Sequence, residues 1–289
     1  MPSYNVLEKV KELREVTGVG FKDCKNAIEE SNGDIEKSIE LLRKKGIAKA
    51  SKRMGRVASE GLISIFEKDN KLSITEINCE TDFVAKNKDF IDFVEEVSEI
   101  ALLNTGNITD INNSKMKKKK SVENNLIDLI SKIGEKITLR RSESLSNNAC
   151  KNFSYIHSSI KKNVGKLGVI LSLETQSKIE EVREFGKQLA MHIAASSPMA
   201  IDKDQLNQEI LKKEKEIILE ELKNSGKKTE IIDKIAVGKL NKFIADNTLL
   251  NQEWIMDPKK KVKDVLKEVS NSKEITIKKY VRFKVGEGV

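Results

Sequence analysis

Cysteine, histidine, proline and aromatic residues are all scarce in this 289-residue chain, and each scarcity removes a class of function. The three cysteines, Cys24, Cys79 and Cys150, lie far apart and form no Cys-x-x-Cys pair. Neither a disulfide scaffold nor a zinc site fits that pattern, so three small, reduced, buried side chains are expected. The two histidines, His157 and His192, belong to no His-Glu-x-x-His or His–Cys arrangement, and His192 reads as a structural residue of an amphipathic helix. Three prolines and fifteen glycines exclude collagen-like and proline-rich disordered chains. No apolar run approaches the roughly 20 residues needed to cross a bilayer. The first residues, Met1-Pro2-Ser3-Tyr4-Asn5, carry neither a basic-then-apolar signal nor an arginine- and serine-rich presequence, so a cytoplasmic location is expected.

Motifs for nucleotide or acyl chemistry are missing too. Four Gly-Lys pairs begin at Gly165, Gly186, Gly226 and Gly238, but none is followed by Ser or Thr, so no phosphate loop can be written. Gly18-Val19-Gly20 lacks the third glycine and the preceding strand of a dinucleotide fingerprint, and no Gly-x-Ser-x-Gly elbow occurs. The expectation is a protein that performs no covalent chemistry, holds no cofactor or metal, and works by binding another macromolecule.

What the chain has in plenty is charge: 53 Lys and Arg against 45 Asp and Glu, a net +8. Only eight of the cations are arginine. Proteins that read nucleic acid lean on the planar arginine fork, so direct nucleic-acid binding is not expected. A basic RNA- or ribosome-binding protein remains the alternative reading.

Along the chain, residues 4–46 read as three short helices. Leu7, Val10, Leu13 and Val16 form one apolar stripe, Gly18-Val19-Gly20 breaks the first helix, and Asp23 is placed to cap the second. Asn32-Gly33 ends that helix and Asp34 caps the third. Lys44 to Arg56 reads as a helical linker. From Gly61 the period shortens to two, and Leu62–Phe66 and Leu72–Ile77 flank a turn at Asp69-Asn70, an antiparallel hairpin with one buried face. Helix follows through Phe90, Phe93, Val94, Val97 and Ile100; the stretch from Asn104 to Asn125, with Lys117–Lys120, is polar, and its middle reads as a mobile connection. Helix at Leu126–Ile133 and a strand at Ile137-Thr138-Leu139 complete this unit. A second strand-and-helix unit follows, with strands at Phe153–Ile160, Leu167–Leu173 and Ile275–Val285 and a helix at Ile179–Ala195. Between Pro198 and Asn251, Leu206, Ile210, Ile217 and Leu222 stripe one helix, Asn224-Ser225-Gly226 turns, and Ile232, Ile235, Leu240 and Phe243 stripe a second. Such a hairpin cannot bury its stripe alone and calls for a partner or a copy of itself.

The stretch Thr81-Asp82-Phe83-Val84-Ala85-Lys86-Asn87 closely resembles the bacterial elongation factor Ts family, guanine-nucleotide exchange factors of elongation factor Tu. Lys11-Glu12-Leu13-Arg14 with Thr17-Gly18-Val19-Gly20, Asn32-Gly33-Asp34, Ala190-Met191-His192-Ile193 and Val281-Arg282-Phe283-Lys284 match further family stretches in the family's order. The resemblance implies an α+β protein divided into an N-terminal three-helix module of ubiquitin-associated type with its linker (1–55), a first core subdomain (56–141), a second (142–197 with 251–289) and an inserted helical hairpin (198–250). It implies that Lys11, Arg14, Phe21 and Lys22 grip the partner's GTPase domain. It further implies that Thr81, Asp82, Phe83 and Val84 press a wedge near the nucleotide and magnesium, and that His157, in the second subdomain, meets another domain. The hairpin corresponds to a coiled-coil segment that mediates self-association in some members. The longest members continue past the final strand into a further helix, so a smaller footprint is expected here. By residue type alone, a Phe after a strand belongs in a core and an Asp there caps a helix.

Overall fold

The computed structural model describes residues 5–53, 55–117, 119–223, 229–270 and 273–289, and shows a mixed helical and antiparallel β protein. Residues 1–4, Lys118 of the lysine run, and the expected turn at Asn224-Ser225-Gly226 lie outside the described residues. The chain forms two compact units: residues 1–146 with 156–168 and 283–289, and residues 147–155 with 169–282.

In the first unit, helices α1 (Val6–Thr17), α2 (Phe21–Glu30) and α3 (Ile35–Arg53) surround a small core of Val10, Leu13, Cys24, Ala27, Ile28 and Leu42. Asn5 caps α1 through the amide of Leu7, and Gly18, with φ 65°, ends it by donating to the Arg14 carbonyl. Asp34 accepts from the Lys37 amide, as the pattern requires of a cap. Asp23 is not the cap of α2; Gly20 occupies that place and Asp23 lies in the first turn. The expected helical linker is helical as far as Arg53, as the last part of α3, and it is packed. Here it packs on α7 (Val122–Ile133), so closely that a Cβ at Gly46 would collide with the Ser131 hydroxyl. Arg53 donates to the Ile130 carbonyl at 3.1 Å, and Ala50 joins the core beneath.

Strands β1 (Glu60–Lys68) and β2 (Lys71–Cys79) pair in register from Glu60↔Cys79 to Lys68↔Lys71. Asp69 (φ 51°) and Asn70 (φ 61°) sit in the left-handed region, as a tight two-residue hairpin turn demands. The expectation of one buried face fails for β2, where every residue from Leu72 to Cys79 is buried. The strand is interior in a sheet ordered β3-β2-β1-β5, with β3 at Ile137–Leu145 and β5 at Val164–Gly165. Helix α5 (Lys88–Leu103) covers one face, and the backbone at Gly168 lies against Ile63 and Ile74 on the other. The polar residue Glu76 is fully buried and is met by Arg140, Arg141 and the amide of Gly286, so its charge is matched in place. The stretch 104–125 holds helix α6 (Ile108–Asn113), and Ile111, Met116 and Val122 drop into the core. Ile108 packs against that core, and four apolar residues spread through a polar context give no sustained period, which is why the stretch reads as a mere connection.

In the second unit, β4 (Cys150–His157), β6 (Leu167–Thr175) and β9 (Ile275–Lys284) form a sheet in the order β4-β6-β9. Strand β4 thus starts and stops three residues earlier than expected. Helices α8 (Ile179–Ser196), α9 (Gln208–Lys223) and α10 (Thr229–Asn247) follow the expected plan, with β7 (Glu253–Trp254), β8 (Asp257–Lys261) and α11 (Val262–Ser270) after them. The α9–α10 seam uses Ile218, Leu222, Ile232 and Ala236. Ile217 and Ile210 of the expected stripe face outward instead, with Val237 beside them in exposure, and Leu206 is buried ahead of α9.

His192 is fully buried on α8, as a structural histidine would be. Its Nδ1 accepts from the Ile255 amide and its Nε2 lies 3.0 Å from Gln252 Oε1, so the neutral ring donates through Nε2. Gln252 in turn donates to the carbonyls of Ser196 and Asp246. Burial pushes the imidazole below its ordinary value. The unfolded chain therefore takes up this proton first, so the contribution to stability is complete above about pH 6.5 and declines as pH falls through the folded value. Trp254, the sole tryptophan, stacks on His192 at 5.3 Å. Its fluorescence should report a lower urea midpoint at pH 5.5 than at pH 7.5, and His192→Gln should flatten the difference.

Candidate partner-binding site

The site is built outward from the end of β2. Cys79 pairs with Ile137 at the start of β3, and the two segments flanking that pair exchange side-chain bonds. Glu135 accepts from both the amide (3.0 Å) and the hydroxyl (2.7 Å) of Thr81. In return Glu80 accepts from the amide of Lys136 at 2.6 Å, and Arg56 approaches its carboxylate at 3.3 Å. The Lys136 amide, aided by Arg56, holds the Glu80 carboxyl below the usual carboxylate range. Burial, reinforced by the neighbouring Glu135 charge, pushes the Cys79 thiol up to about 12, so it stays protonated and donates to the Thr81 carbonyl at 3.2 Å.

On this base stands one helical turn, α4 (Asp82–Ala85), closed by amides of Ala85, Lys86 and Asn87. Asn87 then caps α5 by accepting from the amides of Asp89 and Phe90. In a single turn, adjacent pairs of residues take opposite sides. Val84 and Ala85 enter the core with Phe90, leaving Phe83 80% exposed. A phenylalanine this open, just before two buried anchors and a capped helix, is not explained by packing in its own unit.

Two expectations change here. Asp82 does not cap its helix: Thr81 holds the cap position, and Asp82 binds Lys86 at 2.7 Å across one turn. That ammonium keeps the Asp82 carboxyl below its ordinary value. Val84, which the resemblance sets in the wedge, is only 7% exposed and packs in the core. The side-chain oxygen of Thr81 is likewise engaged by Glu135.

The remaining expected residues lie on other elements of the same unit. Lys11 and Arg14 are exposed on α1, where with Glu15 and Gly18 they line a shallow depression. Phe21, 45% exposed, and Lys22 open α2. Of the expected α1 stripe only Val10 and Leu13 are buried; Leu7 and Val16 are exposed apolar residues instead. His157 is exposed at the end of β4, a strand that starts in the second unit but carries His157 into the first. Glu80, Glu135, Lys136 and Arg56 escaped notice. Arg56 and Glu80 lie 24 residues apart, and Glu135 and Lys136 meet Thr81 and Glu80 across 54 and 56 residues, which only the β2–β3 register brings together. No group of three or more His, Cys, Asp or Glu able to hold a metal ion occurs among the described residues.

Residues 80–287 match the family model described as Elongation factor TS. The chain is 43% identical to Elongation factor Ts of Bartonella quintana over 97% of its own length and 92% of that protein's. It is 42% identical to that of Xanthobacter autotrophicus at the same coverage, and 40% identical to that of Rickettsia prowazekii over 97% and 91% of the two chains. With so exposed an aromatic ring on so well-anchored a turn, and likeness along nearly its whole length, the chain belongs to the elongation factor Ts family.

Proposed function

We propose that the chain binds elongation factor Tu in its GDP form and speeds GDP release, with Phe83 as the wedge. The observation that carries this reading is the 80% exposure of Phe83 on a turn whose neighbours Val84 and Ala85 are buried. A GTPase holds its nucleotide through phosphate contacts and a magnesium ion with demanding geometry. A rigid apolar ring pressed between the partner's helices stabilises a conformation in which that geometry is spoiled, without touching the nucleotide. Linkage fixes the reciprocal effect: the factor weakens GDP binding by the ratio in which GDP weakens the factor. One coupling of 1–3 kcal/mol gives only about 5- to 150-fold, so several contact regions must act together.

Lys11, Arg14, Phe21 and Lys22 supply the second region, a basic, partly apolar face of a ubiquitin-associated-type module that suits an acidic or polar patch on the GTPase domain. His157 supplies a third, toward another domain of the partner. Exposed Ile210, Ile217 and Val237 on the α9–α10 hairpin suit self-association into a homodimer. In this role the chain breaks and forms no covalent bond and needs no cofactor, and its place is the cytoplasm. Among the described residues no helix is long and apolar enough to cross a membrane.

The test is stopped-flow release of a fluorescent GDP analogue from elongation factor Tu. The observed rate should rise with factor concentration to a plateau far above the spontaneous rate. A rate that stays at the spontaneous value at every concentration would remove the reading.

A further inference from the structure

Thr81 links the wedge to β2, and both of its hydrogen-bond donors end on one carboxylate. Both the amide and the hydroxyl of Thr81 donate to Glu135, at 3.0 and 2.7 Å, while Glu80 closes the reverse bond to Lys136. The two segments are cross-tied at the point where the sheet register ends, at Cys79↔Ile137. Charge-assisted bonds of this kind are the strong ones, and two on a single carboxylate fix direction as well as distance. We propose that Glu135 is the positioning residue of the wedge: it makes the base of the α4 turn stiff enough that Phe83 moves the partner's helices and not its own backbone. This rests on the exchange reading above and assigns the stiffness to a residue 52 positions away from Phe83 in sequence.

The mechanism separates binding from action. The basic face of α1 and the opening of α2 are untouched by Glu135, so capture of the partner persists when the clamp is lost. A yielding base lets Phe83 retreat, and the push on the nucleotide site weakens. The loss should therefore appear in the plateau rate of GDP release more than in the factor concentration that gives half of it.

Glu135→Gln keeps the shape but can no longer accept from both Thr81 groups with a charge. It should lower the plateau about tenfold, with the half-saturating concentration within about twofold of the starting protein. Thr81→Val, which loses the hydroxyl, should lower the plateau as Glu135→Gln does, and Thr81→Ser, which keeps it, should retain more of the plateau than Thr81→Val. In a Phe83→Ala background Glu135→Gln should change nothing further, because its effect runs through that ring. Ile111→Val, a mild core truncation away from the turn, separates simple destabilisation from positioning and should leave the plateau intact. An unchanged plateau in Glu135→Gln would overturn the proposal, as would an equal additional loss in the Phe83→Ala background. Amide hydrogen exchange supplies a readout without the partner: the Thr81 amide should be protected and should lose that protection in Glu135→Gln. An unprotected Thr81 amide in the starting protein overturns the clamp. A starting protein that binds but never accelerates release overturns the exchange reading instead.

Discussion

Replacing Phe83 by alanine is expected to lower the plateau rate of GDP release by about 30- to 1000-fold while leaving the factor folded. The size follows from what aromatic anchors at the centre of protein interfaces contribute, about 2–4 kcal/mol on truncation, at tenfold per 1.4 kcal/mol. The lack of a stability effect follows from position. Phe83 is 80% exposed and contributes no core contact, and exposed substitutions usually stay within about 0.5 kcal/mol. Asp82–Lys86 and the Thr81–Glu135 bonds remain in the variant, so the turn itself persists. Urea unfolding with an unchanged midpoint, beside stopped-flow release with a collapsed plateau, is the expected pair of results. A shifted midpoint would mean that the ring packs in its own unit, and a normal plateau would mean that it does not act as a wedge.

Phe90→Ala, seven residues further on, should do the reverse. Phe90 is 0% exposed, among the largest fully buried side chains, and sits in the core with Leu62, Val84, Ala85 and Val94. Truncation there leaves a cavity beneath both the sheet and the wedge turn, with an expected loss of about 3–5 kcal/mol. Against a typical total of about 5–15 kcal/mol that is a third or more of the stability, and the urea midpoint should fall accordingly. The slope of the transition should not change. At a temperature low enough to keep this variant folded, Phe83 is still present, so GDP release should recover toward the starting rate. The two phenylalanines are indistinguishable by type; only the side of a helical turn on which each falls divides them.

That distinction marks how far sequence carries. Local chemistry was legible: the Asp69-Asn70 turn, the Asp34 cap and the left-handed stop at Asn32-Gly33 all follow from residue types whose preferences act within a few positions. Elements with strong periods, such as the helix through Phe90, Phe93, Val94 and Val97, were equally plain. Strand β2 misled because its alternation of Ser, Thr, Glu and Asn with apolar residues reads as a wet face. Burial of Glu76 between two arginines and a backbone amide depends on β3 and the chain's end, far off in sequence. The wedge region shows the same limit. Thr81–Val84 could be singled out as a group by family likeness, but Val84's burial and Asp82's bond to Lys86 depend on the exact start of a four-residue helix. Glu135 carried no local signal at all. A glutamate after a helix-ending glycine is ordinary until the register of two strands lays it against Thr81.

The central claim is that the ring at position 83 meets the partner's nucleotide-binding domain. Site-specific replacement of Phe83 by a photoreactive phenylalanine analogue, followed by irradiation with GDP-loaded elongation factor Tu and mapping of the crosslinked peptide, tests it most directly. The account predicts a crosslink into the GTPase domain, formed in high yield and suppressed by excess unlabelled factor. Crosslinks confined to another domain of elongation factor Tu, or to the factor's own chain, would contradict it.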